Sequence, residues 1–136
     1  MKVIVLNREG MEQSTESAAH IKIVLHDPDL ERPKVTEIES CKDVLYLAFD
    51  DISYESQYDK FFTQKDAHIV CQFLNKWAKF ISTVLISCEA GRSRSPGMAA
   101  SVDEFFNMRE SMFFYDCSTE PNMLVYRKMK TMLESM

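Results

Sequence analysis

The feature that most constrains this chain is an abrupt change of period at residue 88. STVLIS at 82–87 is a short apolar run that reads as a buried strand. CEAGRSR follows at once, and SPGMAASVDEFFNM then repeats with helical period through Ala99, Val102 and Phe106. Pro96, in the first turn of that pattern, fits a helix start. Upstream, from Thr63, the residues Ala67, Val70, Cys71, Leu74, Trp77, Ala78 and Ile81 define an amphipathic helix whose stripe needs a sheet to cover it. A helix, a buried strand, a tight loop and a second helix in that order imply a layered α/β arrangement.

The rest of the chain supplies the other elements. KVIVL (2–6) and IKIVL (21–25) read as strands, with a short helix in the polar REGMEQSTES between them. DPDLERPK at 27–34 is rich in turn residues, VTEIES follows, and DVLYLAF (43–49) is the clearest candidate for a central strand. A polar loop, DDISYESQYD, comes next. The last helix is expected to begin near Pro121, capped by Ser118 or Thr119, with Val125, Met129, Met132 and Leu133 facing inward. The expected fold is α/β, a mostly parallel central sheet flanked by helices on both faces. With 136 residues, one core and a single domain over 1–136 are expected.

A net charge of −5 argues against a protein that binds the phosphates of nucleic acid or anionic lipid through clustered Lys and Arg. No apolar run reaches the roughly 20 residues of a membrane span, so a cytoplasmic location is expected. Cys41, Cys71, Cys88 and Cys117 are widely spaced and form no metal-ligand pattern with His20, His26 and His68. Reduced thiols and no metal or other cofactor are therefore expected.

The chemistry concentrates in Cys88-Glu89-Ala90-Gly91-Arg92-Ser93-Arg94-Ser95, a C-x5-R-S pattern. Five intervening residues let the loop curl so that successive backbone N–H groups face inward, closed by a helix N-terminus with its partial positive charge. Such a nest fits a phosphate, held by the backbone of Glu89, Ala90, Gly91, Arg92, Ser93 and Arg94. Gly91 allows a positive φ or a close backbone approach. Arg94 offers two parallel donors to two phosphoryl oxygens, which lysine cannot. Cys88 on the floor becomes a nucleophile because inward amides and the helix dipole favour its thiolate. Ser95 can donate to the same sulfur and ease its departure.

On these residues the chain resembles the protein tyrosine phosphatase superfamily, in particular its compact dual-specificity-like branch, whose signature is H-C-x2-G-x2-R-[ST]. The resemblance spans about Val44 to Met108, with the N-terminal strands and last helix compatible but unspecific. It implies a cysteine-phosphatase fold and hydrolysis of phosphate monoesters on phosphorylated proteins or small esters through a phosphocysteine, without a metal. It also implies an aspartic acid, on a separate loop, that protonates the leaving oxygen and then activates water. Phe49-Asp50-Asp51 looks like the segment that carries this acid in compact members, which selects Asp51, with Asp50 second and Asp59 third. The family's histidine before the nucleophile is replaced by Ser87, which replaces part of its hydrogen bonding but contributes no charge to hold the thiolate. A phosphoprotein-binding module with poor turnover is the alternative that this substitution raises.

Other residues are read more plainly. Glu89 would repel strongly polyanionic substrates, and Cys71 or Cys41 could trap an oxidised Cys88, although a packed helix cysteine is the simpler account of Cys71. His68 reads as a packing or surface residue. Tyr54, Tyr58, Phe61 and Phe62 divide between core and a wall for a phosphotyrosine ring.

Overall fold

A computed structural model describes residues 1–136. Four strands, β1 (Lys2–Leu6), β2 (His20–His26), β3 (Cys41–Ala48) and β4 (Thr83–Ser87), form one sheet in the order β1-β4-β2-β3. Every pairing is parallel. The helices are α1 (Arg8–Gln13), α2 (Gln64–Trp77), α3 (Arg94–Asn107) and α4 (Met123–Glu134), with a 3-10 turn at Met112–Phe114.

The strand expected at the centre, DVLYLAF, is β3 and lies at an edge. Its residues are mostly half-buried, whereas β4 is buried along its whole length and is flanked by β1 and β2. The short run TVLIS is central because parallel neighbours cover both its edges, and near-continuous apolarity is what such a strand requires. Ser87 at its end is in register with Leu6 and Val24. The loop after β4 therefore opens at the carboxyl ends of the strands, where ligands of open α/β sheets bind.

The two faces of the sheet are unequal. Ile21, Ile23, Leu25, Val84 and Ile86 pack with Ala67, Val70, Leu74, Met98, Val102, Val125 and Met129 under α2, α3 and α4. The alternate residues Val24 and Leu85 meet Met11 of α1 in a much smaller cluster. Helices thus flank both faces, but the second is covered by one six-residue helix and the strap at 31–40. Lys22, in the IKIVL run, is fully buried on this side and donates from Nζ to the Thr36 carbonyl at 2.9 Å. Burial pushes its ammonium pKa down.

Helix starts follow local chemistry. Thr63 and Asp66 form a reciprocal capping box on α2. Helix α4 begins at Met123, two residues beyond Pro121, and its cap is Asn122 rather than Ser118 or Thr119: Asn122 Oδ1 accepts from the amides of Leu124 and Val125 at 3.0 and 3.2 Å. No helix is long and apolar enough to cross a membrane.

Candidate active site

The segment 88–94 leaves the buried end of β4 and enters α3. Its carbonyls turn outward to the surrounding shell: Glu89 O accepts from Arg8 N at 3.2 Å, Arg92 O from Glu120 N at 2.8 Å, and Ser93 O from Asn122 N at 2.9 Å and Gly97 N at 3.0 Å. In a trans peptide the N–H opposes its C=O, so the amides of Ala90, Ser93 and Arg94 point the other way, into the cup. These amides are thus left without a bond to the surrounding shell.

Gly91 has φ +69°, and a Cβ there would stand 3.0 Å from both Leu6 C and Asn7 N. Two constraints therefore select glycine: the backbone conformation and the junction between β1 and α1 packed against the loop. The N-terminal segment, unspecific in sequence, is in fact one wall of the site.

Cys88 is 3% exposed. Its Sγ lies 3.0 Å from Ser95 Oγ and 3.5 Å from the Ser95 amide nitrogen, so the residue after the arginine meets the sulfur through both its groups. Arg94 is buried, and its NH1 donates to Asp27 Oδ1 at 2.7 Å and to the Phe49 carbonyl at 2.9 Å. Its Nε is buried with no partner. An unpaired guanidinium N–H in a protein interior is costly, about 1–3 kcal/mol or more for a charged group, and an oxyanion is the partner that would relieve it. The NH1 edge is thus anchored by protein while Nε remains free for a ligand.

The acid-loop candidates separate cleanly. Phe49 and Phe62 are fully buried with ring centroids 5.0 Å apart. Above them Asp50 closes the loop's neck: its amide donates to the Lys60 carbonyl at 2.7 Å, and its Oδ2 accepts from the Lys60 amide at 2.8 Å. Asp51 is exposed, and its Oδ1 accepts from Ser93 Oγ at 2.8 Å and Asn122 Nδ2 at 2.9 Å. The structure brings Asp51 to the loop at 88–94, commits the Asp50 carboxylate to the neck, and leaves Asp59 on the exposed part of its own loop. Among the loop aromatics, Phe62 is core, Phe61 packs beneath the Lys128 ammonium, and Tyr54 and Tyr58 are exposed.

One expectation changes here. Ser87 is buried at the end of β4, and the side-chain bonds that hold the cup run from Ser95, Asp27 and Asn122. The Glu89 carboxylate is not free: Arg8 NH1 lies 3.1 and 3.4 Å from its two oxygens. Of the other thiols, Cys71 is buried in the core, where burial pushes its pKa up to about 11, and Cys41 is half-buried and also raised by burial. A thiol so protonated is a poor partner for an oxidised Cys88. His68 is exposed on α2.

Asp27, Asn122, Gly97 and Arg8 were not singled out by the sequence. Asp27 precedes Pro28 and reads as a turn residue until β2 is placed beside β4. Asn122 had a usable signal, since asparagine directly before an apolar-periodic run is a strong N-cap. Gly97 carries a long-range constraint with no local sign: a Cβ there would lie 2.5 Å from the Asn122 carbonyl oxygen.

No protein-family model matches the chain, and no curated protein matches it by sequence. Solved structures do match in shape. Human DUSP28 superposes with a TM-score of 0.63 at 14% identity, over 98% of this chain and 92% of that one. Human tyrosine phosphatase-like serine/threonine/tyrosine-interacting protein gives 0.63 at 16%, over 95% and 89%. PTPMT1, solved with PI(5)P, gives 0.60 at 14%, over 98% and 91%. The chain has the cysteine-phosphatase fold, in the form taken by compact dual-specificity phosphatases.

Proposed function

We propose that the chain is a cysteine-dependent phosphate monoester hydrolase of the protein tyrosine and dual-specificity type. The observation that carries the proposal is the cup itself: Cys88 Sγ at 3.0 Å from Ser95 Oγ on its floor, with the Arg94 Nε buried and unpartnered beside it. In this reading the Cys88 thiolate attacks phosphorus in line, forming the S–P bond as the ester P–O bond breaks. Asp51 gives its proton to the departing oxygen, then takes one from the water that cleaves the S–P bond. Inorganic phosphate leaves and the thiolate returns. The inward amides of 89–94 and the free edge of Arg94 hold the equatorial oxygens, which stay anionic throughout. Ser95 donates to sulfur as it departs. Substrates are phosphorylated proteins or small phosphate esters.

A second reading, a phosphoprotein-binding module with weak turnover, draws on Ser87, which stands buried and uncharged directly before Cys88. Turnover of p-nitrophenyl phosphate decides between them. The hydrolase reading expects turnover that is inhibited by vanadate, indifferent to chelator and abolished in Cys88→Ser. Vanadate binding without turnover supports the binding module, and turnover surviving Cys88→Ser overturns the cysteine mechanism.

A further inference from the structure

The only carboxylate carried by the phosphate loop is Glu89, one residue from the nucleophile. A negative charge there opposes a phosphate dianion. The structure holds that carboxylate away through a residue far off in sequence. Arg8, the first residue of α1, directs NH1 at both Glu89 oxygens, at 3.1 and 3.4 Å, and its backbone amide donates to the Glu89 carbonyl at 3.2 Å. The guanidinium is itself fixed: NH2 donates to the Glu31 carbonyl at 2.6 Å, and Nε lies 3.9 Å from Glu12 Oε1. Both partners are only partly accessible, at 27% and 20% of their side-chain surface. The same junction abuts Gly91, so Arg8 and the loop are registered at two points.

We propose that Arg8 is a specificity-determining positioning residue: it neutralises Glu89 and draws it out of the phosphate cup, which sets the affinity of the site for dianionic phosphate esters. The inference rests on the oxyanion cup of the proposed function and adds a role for the N-terminal helix. The pair acts on ground-state binding of the anion more than on the chemical step, because the Arg8 and Glu89 side chains bond each other, the Glu31 carbonyl and Glu12 rather than Cys88 or Asp51. Without Arg8, Glu89 is an unpaired charge at the loop's edge, free to turn toward the anion and repel it. A surface ion pair of this kind contributes little to stability, about 0–1 kcal/mol, so its effect belongs in affinity rather than in folding.

The test is a double-mutant cycle on tungstate binding, followed by calorimetry with the full chain, alongside KM and kcat for p-nitrophenyl phosphate. Arg8→Ala should weaken tungstate and raise KM about fivefold to tenfold, the order expected for one uncompensated charge near the site, with kcat changing less than KM. The loss should shrink at high salt. Glu89→Gln should tighten tungstate about fivefold more in the Arg8→Ala background than in the wild type. An Arg8→Ala effect that persists equally with Glu89→Gln means the arginine merely supports the fold, and overturns the proposal; so does an unchanged affinity. If Arg8→Ala melts below the assay temperature, Arg8→Gln, which keeps the stem and an amide donor, carries the same comparison. Failure of the wild type to bind tungstate at all instead removes the oxyanion cup, and with it the proposed function.

Discussion

The loop at 88–94 and the loop at 50–60, proposed to bind phosphate and to carry the acid, meet at one point, yet they are built differently. The first is fixed from every side, with Cys88 and Arg94 buried at its two ends and Ala90 and Arg92 exposed between them: its carbonyls are held by Arg8, Glu120, Asn122 and Gly97, its glycine by backbone contact, and its arginine by Asp27 and Phe49. The second is closed at its neck by the Phe49 and Phe62 rings and the Asp50–Lys60 pair, and its exposed remainder is tied down by side chains: Ser93 and Asn122 to Asp51, Asn122 to the Ile52 carbonyl, and Lys128 to Glu55. An oxyanion binding site must be rigid to oppose charge without reorganising. A proton donor must instead follow leaving groups of different shape, and a narrow-necked loop allows that.

The difference separates the effects of substitution. In the cup, Arg94→Lys keeps the charge but loses the planar fork, and should lower kcat/KM about 10³-fold for every leaving group, checked by steady-state kinetics on aryl and alkyl phosphates. A loss confined to poor leaving groups would erase the distinction between the loops. On the acid loop, Asp51→Asn should cost about 10²-fold or more with an alkyl phosphate and under about tenfold with p-nitrophenyl phosphate, whose leaving group needs little protonation. Full rate with the alkyl ester would remove Asp51 as the acid.

The seam comes next. Asn122→Ala removes the donor to Asp51 and the cap of α4 together, so it should lower stability by about 1–2 kcal/mol in urea unfolding and reduce turnover of alkyl phosphates by a smaller factor than Asp51→Asn. The smallest effect concerns the thiols. With its pKa pushed up to about 11, Cys71 stays protonated at neutral pH and should resist iodoacetamide while exposed Cys117 reacts, as read by peptide mapping. Rapid modification of Cys71 in the folded chain would mean that α2 opens.

How legible each region was in the sequence follows the same division. The cup was readable because its constraints are local: C-x5-R-S is one segment, and a buried strand followed by a helix tells how it folds. The helix stripes and the parallel strands were readable from period alone. The position of β3 at the edge was not, because an edge strand covered by aromatics and a strap looks as apolar as a central one. Asp27, Arg8 and Gly97 were invisible for a related reason. Each acts across the sheet or between helices, and its meaning exists only once the strand order brings residues 8, 27 and 122 around residue 94. Asn122 lies between, since its capping role was local and its hold on Asp51 was not.

The central claim is that Cys88 carries the phosphoryl group between the two displacements. Rapid acid quench of the full chain during turnover of p-nitrophenyl phosphate, followed by peptide mass analysis, tests it most directly. The account predicts one phosphoryl group on the peptide containing Cys88, absent in Cys88→Ser and accumulating in Asp51→Asn, where water is no longer activated. Turnover with no phosphoryl on that peptide at any quench time, or with the group on another residue, would contradict it.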